Sequence, residues 1–188
     1  MTSTPAVFLD RDGTMIEDVG YLDRLERLTL FPYTIDAIRL LNRGGYKVVV
    51  VTSQAGVAHG SVTEEFLEEA HGVIGRRVAE AGGRIDAFYY CPHHPHATVE
   101  QYRTECECRK PKPGMILSAA RDHALDLSRS FIVGDRWRDI EMGLVAGTRG
   151  VLVETGYGKT EAARRPVHVA AVPVVATLIE ATSLILRG

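Results

Sequence analysis

No run in this 188-residue chain is long and apolar enough to cross a bilayer. Its opening Met1-Thr2-Ser3-Thr4-Pro5 also lacks the positive segment and apolar stretch of a secretory signal, so a cytoplasmic protein with no membrane partner is expected. Excess positive charge is missing too. The formal net charge of −2 leaves no basic field to attract nucleic acid. Internal repeats and low-complexity tracts are absent. Cysteine is scarce: the three residues all fall between Cys91 and Cys108, and an odd, clustered set makes no disulfide framework. It fits a metal site in a reducing compartment. What the chain does have is 45% hydrophobic and 24% charged residues, enough for one compact domain over 1–188, expected as a monomer.

Apolar runs alternate with helical patterns, which predicts an α/β fold with a mostly parallel sheet and helices on both faces. Strands are expected at Ala6–Leu9, Val48–Val51, Ile85–Tyr90, Phe131–Val133 and Val151–Val153. Helices are expected over Ile35–Leu41, over Gly114–Ala124, over Ile140–Ala146, and over Val174–Leu186 at the end. Another should start at Ser61-Val62-Thr63-Glu64, read as a capping box, and run to about Ala81 before Gly82-Gly83. Two segments, Met15–Pro32 and Cys91–Pro113, fit neither period. Long irregular connections in a compact domain are usually functional, so both are expected beside the chemistry.

The chemistry starts where the first strand stops, in Val7-Phe8-Leu9-Asp10-Arg11-Asp12-Gly13-Thr14. Alternate residues of an extended chain share a face, so Asp10 and Asp12 can converge on one centre. Two carboxylates that close need a cation between them or a shared proton, and Mg²⁺ with a phosphate meets that need. The second strand leads into Thr52, whose hydroxyl suits a phosphoryl oxygen, and the fourth into Gly134-Asp135-Arg136, which adds a third carboxylate with Asp139 one helical turn further on. Arg109-Lys110-Pro111-Lys112-Pro113 contributes cations: Lys110 for the transferring phosphoryl group, Arg109 as a bidentate clamp on a second anionic group.

In this order the motifs resemble the haloacid dehalogenase superfamily of phosphohydrolases, over nearly the whole chain. The resemblance implies that Asp10 is the nucleophile, forming an aspartyl phosphate, and that Asp12 is the general acid and base. It also implies that Thr52 and Lys110 hold the phosphoryl oxygens, and that Mg²⁺ binds Asp10, Asp135 and the backbone carbonyl of Asp12. No large cap domain fits between the motifs, so loops should select a small phosphorylated sugar or polyol, with Arg109 on its distal phosphate.

Cys91-Pro92-His93-His94-Pro95-His96 followed by Cys106-Glu107-Cys108 offers three thiolates and an imidazole for a closed, structural Zn²⁺ site. His93 is the expected fourth ligand because Cys-x-His mirrors Cys-x-Cys, with His94 and His96 as alternatives. This loop marks a zinc-carrying group within the superfamily. Resemblance to that group implies substrate contacts from Asp18, Val19, Gly20 and Tyr21, from Ser53, Gln54 and Ala55, and from Arg136. Ser53, Ala55 and His59 depart from the group's usual asparagine, serine and arginine, which removes an amide and a guanidinium. A non-enzymatic receiver module would need its acceptor aspartate after the third strand, where Tyr89-Tyr90-Cys91 stands. Gly158-Lys159-Thr160 resembles part of a phosphate loop, but Val153 stands where that loop's first glycine belongs.

Overall fold

The computed structural model describes residues 3–188; Met1 and Thr2, part of the opening segment read above, lie outside it. Six parallel strands form one sheet: β1 (Ala6–Leu9), β2 (Lys47–Ser53), β3 (Ala87–Cys91), β4 (Phe131–Gly134), β5 (Arg149–Val153) and β6 (Val174–Val175). Their spatial order is β3-β2-β1-β4-β5-β6. The chain therefore builds outward from β1 in one direction, crosses back, and builds outward in the other. Ligands of open α/β sheets bind where that reversal leaves a crevice at the strand carboxyl ends, in this fold between β1 and β4.

Strand alternation splits the core into two layers. Val7 and Leu9 pack with α1 (Thr34–Arg43), α3 (Glu64–Glu80) and α7 (Leu178–Leu186), through residues such as Ile38, Ile74 and Leu178. Ala6 and Phe8 point the other way, to Met115 and Ile116 of α4 (Gly114–His123) and Ile140 of α5 (Trp137–Ala146). Both faces are covered, which is why these strands are apolar throughout. Two short helices, α2 (Ala55–Ala58) and α6 (Gly158–Ala163), complete the α-helices among the described residues. No helix among the described residues is long and apolar enough to cross a membrane.

Several boundaries differ from the sequence pattern. The cap of α3 is Thr63, whose hydroxyl accepts the Phe66 N–H at 3.1 Å, and Ser61 is not part of a capping box. The Ser61 N–H is committed to the Gly56 carbonyl and the Glu64 carboxylate to Tyr90 and Tyr102, so the reciprocal bond of a box at Ser61 is not made. The third strand starts at Ala87, not Ile85, and α5 starts three residues before Ile140. The expected terminal helix from Val174 loses its first turn to β6, whose two residues pair with Leu152 and Val153.

Candidate active site

Asp10 follows β1 directly, and its N–H extends the ladder to the Val133 carbonyl at 2.9 Å. Its carboxylate thereby enters the crevice between β1 and β4. Lys110 reaches it from the far side, Nζ to Oδ1 2.5 Å, and also contacts Asp139 Oδ1 at 2.9 Å. The lysine is 6% exposed and Asp10 7%, so this ion-paired trio is largely shielded from water. Burial works against the Lys110 charge, but the two aspartates outweigh it and raise its pKa. Burial pushes the Asp10 carboxyl up to about 7; Lys110 opposes that shift, and Asp139 and Asp12 add to it.

Asp135, at the end of β4, is pushed up to about 8 by burial and then by the Asp10 and Asp139 charges. One of its oxygens, Oδ2, accepts the Tyr157 N–H at 2.8 Å. That oxygen is boxed in by two glycines: a Cβ on Gly13 would stand 2.3 Å from it and one on Gly156 2.2 Å. Both glycines also have positive φ, 81° and 55°, so a side chain at either would be strained twice over. The other oxygen, Oδ1, is buried with no hydrogen-bond partner. Carboxylate oxygens of Asp10, Asp135 and Asp139 lie within 4.8 Å of one another. An all-oxygen cluster with an orphaned buried lone pair and elevated pKa values fits a hard divalent cation such as Mg²⁺.

Asp12 faces the same cleft, immediately before the turn at Gly13. Arg11 forks its carboxylate at 3.0 and 3.1 Å, and Gln54 Nε2 donates to it at 3.1 Å. Thr52 Oγ1 accepts from Gln54 Nε2 at 2.7 Å and lies 3.5 Å from Asp12. The cleft, about 240 Å³, is lined by Asp10, Asp12, Thr52, Gln54 and Lys110 together with Asp18, Gly20, Tyr21, Ser53, Ala55, Arg136, Arg138, Asp139 and Tyr157. Arg136 lies 3.7 Å over the Tyr157 ring and 3.6 Å from Asp18.

Two expected substrate residues are absent from this lining. Val19 turns its carbonyl to Arg27, which donates to it at 2.6 Å and staples the loop. Arg109 does not reach into the cleft: its guanidinium donates to the His93 carbonyl at 2.9 Å and borders a separate depression beside Pro95 and Lys112. Folding the cysteine loop uses that N–H to satisfy a backbone oxygen, and the direction of a side chain in an aperiodic loop is not written in its spacing. Conversely, Asp139 joins the carboxylate cluster, and Arg138 lines the cleft with its Nε buried and unpartnered. A helix-turn offset from Asp135 was the available signal for Asp139; none marked Arg138.

Cys91 ends β3 in register with Ser53 of β2, two strands from Asp10. Its sulfur lies 3.0 Å from that of Cys108 and 3.5 Å from that of Cys106, and His93 Nδ1 is 3.4 Å from Cys108. All four donor atoms fall within 4.8 Å of one another, no disulfide forms, and His94 and His96 stand outside the cluster. Such separations suit a tetrahedral ion with bonds of about 2.3 Å to sulfur. The loop is also tied to α3: Tyr90 and Tyr102 donate their hydroxyls to the two oxygens of Glu64 at 2.5 and 2.6 Å.

A parallel sheet with a buried aspartate at its reversal point, a buried lysine paired to it and a cluster of carboxylates fit for a cation defines a phosphotransferase-type hydrolase centre. The chain belongs to the haloacid dehalogenase superfamily: its residues 107–181 match the HAD-hydrolase-like family model, and the relatives below share most of its length. Those relatives are heptose-bisphosphate phosphatases. The chain is 44% identical over 154 residues to D-glycero-beta-D-manno-heptose-1,7-bisphosphate 7-phosphatase of Photorhabdus laumondii, covering 81% of each. It is 43% identical over 156 residues to the enzyme of that name from Escherichia coli K12, covering 82% of this chain and 81% of the relative. Among solved structures, D,D-heptose 1,7-bisphosphate phosphatase from B. bronchiseptica, complexed with magnesium and phosphate, superposes with a TM-score of 0.87 at 31% identity, covering 97% of this chain and 98% of that one.

Proposed function

We propose that this chain is a Mg²⁺-dependent phosphatase that removes the 7-phosphate of D-glycero-D-manno-heptose 1,7-bisphosphate and leaves the 1-phosphate. The observation that carries the reading is the Asp10 carboxylate beside Lys110 and the Asp135 seat, in a chain whose relatives bear that enzyme's name.

Asp10 attacks phosphorus through the oxygen not committed to Lys110; the bond from phosphorus to the sugar oxygen breaks, and Asp12 gives that oxygen a proton. A water then attacks the aspartyl phosphate and passes a proton to Asp12, phosphate leaves, and Asp10 and Asp12 return to their starting states. Lys110 and Thr52 hold the phosphoryl oxygens through the sequence. Asp10, Asp135 and the Asp12 carbonyl would hold Mg²⁺, with Asp139 steering Lys110 beside them. When bound, Mg²⁺ supplies positive charge that offsets these carboxylates and the phosphoryl oxygens. Cys91, His93, Cys106 and Cys108 would hold Zn²⁺ with no position left for water, a structural role that supports the turn carrying Lys110.

With the Arg109 guanidinium on the His93 carbonyl, the cleft-lining arginines Arg136 and Arg138 are assigned to the distal phosphate. Arg136→Ala is expected to raise KM for the bisphosphate about tenfold with kcat little changed, the pattern of binding lost equally from ground and transition states. A KM within twofold of wild type would remove Arg136 from that role.

The test of the whole reading is Mg²⁺-dependent phosphate release from both anomers of the heptose bisphosphate, beside histidinol phosphate and fructose 1,6-bisphosphate. Strong preference for the heptose is expected, and equal or faster turnover of another ester would reassign the substrate.

A further inference from the structure

Arg11 stands between the two motif aspartates but lines no part of the cleft, and it is 1% exposed. Each of its three guanidinium nitrogens has a partner. Nε and Nη2 fork the Asp12 carboxylate, Nη2 also donates to Gln54 Oε1 at 3.0 Å, and Nη1 meets Nε2 of His71 at 3.3 Å. A guanidinium can only donate, so Nε2 of His71 must accept, and the imidazole carries its proton on Nδ1. Burial, and then the Arg11 charge, hold His71 down to about 3, so it stays neutral and able to accept at any working pH. The ring is 6% exposed and lies nearly flat on Phe88, with centroids 4.6 Å apart and planes 16° apart. Helix α3 and strand β3 therefore fix the imidazole, the imidazole fixes Arg11, and Arg11 fixes Asp12.

We propose that His71 is a positioning residue for the phosphatase reaction, anchoring Arg11 so that the Asp12 carboxylate is held in place for its two proton transfers. The inference rests on the role given to Asp12 above. Without an acceptor at position 71, Nη1 would be left buried and unpaired, and the fork on Asp12 would lose its third point of support. Misplacing a catalytic group by about 1 Å can cost as much as 100-fold in rate.

Leaving-group dependence separates this role from a general loss of structure. The ratio kcat/KM reports the reaction up to departure of the leaving group; a sugar alkoxide needs a proton from Asp12 and p-nitrophenolate does not. His71→Leu is expected to lower kcat/KM on the sugar bisphosphate about tenfold while changing it less than about threefold on p-nitrophenyl phosphate. His71→Gln, which retains an acceptor oxygen, should return the sugar-phosphate value to within about threefold of wild type. Equal losses on both esters, or no loss on either, would overturn the proposal. If the leucine variant does not fold, His71→Asn takes its place beside His71→Gln, since the shorter amide cannot reach Nη1; equal rates for the pair would count against the anchor. Asp12→Asn serves as control. If it fails to depress the sugar ester selectively, the assignment of Asp12 is wrong; if it does so while His71→Leu is inert, only the inference about His71 is lost.

Discussion

Asp10→Asn is expected to reduce phosphate release by at least about 10⁴-fold, because a carboxamide oxygen is too weak a nucleophile to form the phosphorylated intermediate. The variant should nevertheless fold. Asp10 is one of three buried carboxylates within 4.8 Å of one another, and burial alone pushes its carboxyl toward the neutral form. A neutral amide relieves that repulsion, while Lys110 keeps its second partner, Asp139, at 2.9 Å. In Mg²⁺-free buffer the melting temperature should therefore match or exceed that of the parent chain. Turnover within 100-fold of wild type, in a preparation shown free of contaminating phosphatase, would exclude Asp10 as the nucleophile.

The second large effect is expected at the loop of three thiols and an imidazole. The purified protein should carry one Zn²⁺ per chain, and stripping it, or the change Cys108→Ser, should lower kcat more than tenfold without unfolding the sheet. Lys110 follows Cys108 by only two residues, so loss of the ion frees the very turn that places its ammonium against Asp10. Limited proteolysis gives an independent reading. Trypsin should cut after Arg103 and Arg109 in the stripped protein and leave the intact loop resistant, because the Arg103 side chain is tied to the Ala97 carbonyl and that of Arg109 to the His93 carbonyl. Full activity with no bound zinc and unchanged cleavage would contradict the structural role.

Much of this was legible in the sequence because the features concerned are periodic or adjacent in the chain. Strands β1, β2, β4 and β5 announce themselves as short uninterrupted apolar runs, since helices cover both faces of the sheet. Asp10, Asp12, Thr52 and Asp135 each sit within three residues past, or at the end of, such a run, so locating the strand locates the residue. The Cys-x-His and Cys-x-Cys pairs carry their geometry in their spacing. What escaped has no such local record. Strand β6 is two residues long, below any periodicity. The cap of α3 is displaced by turn hydrogen bonds back to Gly56. Arg109 and Arg138 are both arginines in or beside active loops; one folds onto a backbone carbonyl and the other lines the cleft, a difference set by tertiary packing. His71 occupies a helical face that reads as ordinary core, and its contact with Arg11 spans 60 residues.

The two glycines around Asp135 also bear on how stable the chain can be. Each lets the unfolded chain wander over conformations that an alanine would forbid, and each such position costs roughly 0.4–1 kcal/mol of folding free energy relative to a residue with a side chain. Entropy of the unfolded ensemble is thus surrendered at Gly13 and at Gly156 so that a carboxylate can be gripped between bare backbones. With total folding free energies of about 5–15 kcal/mol, that sum is a visible fraction of the whole. Efforts to harden this protein against heat by the usual replacement of loop glycines would meet, at these two positions, a gain in chain stiffness that destroys the seat it was meant to preserve.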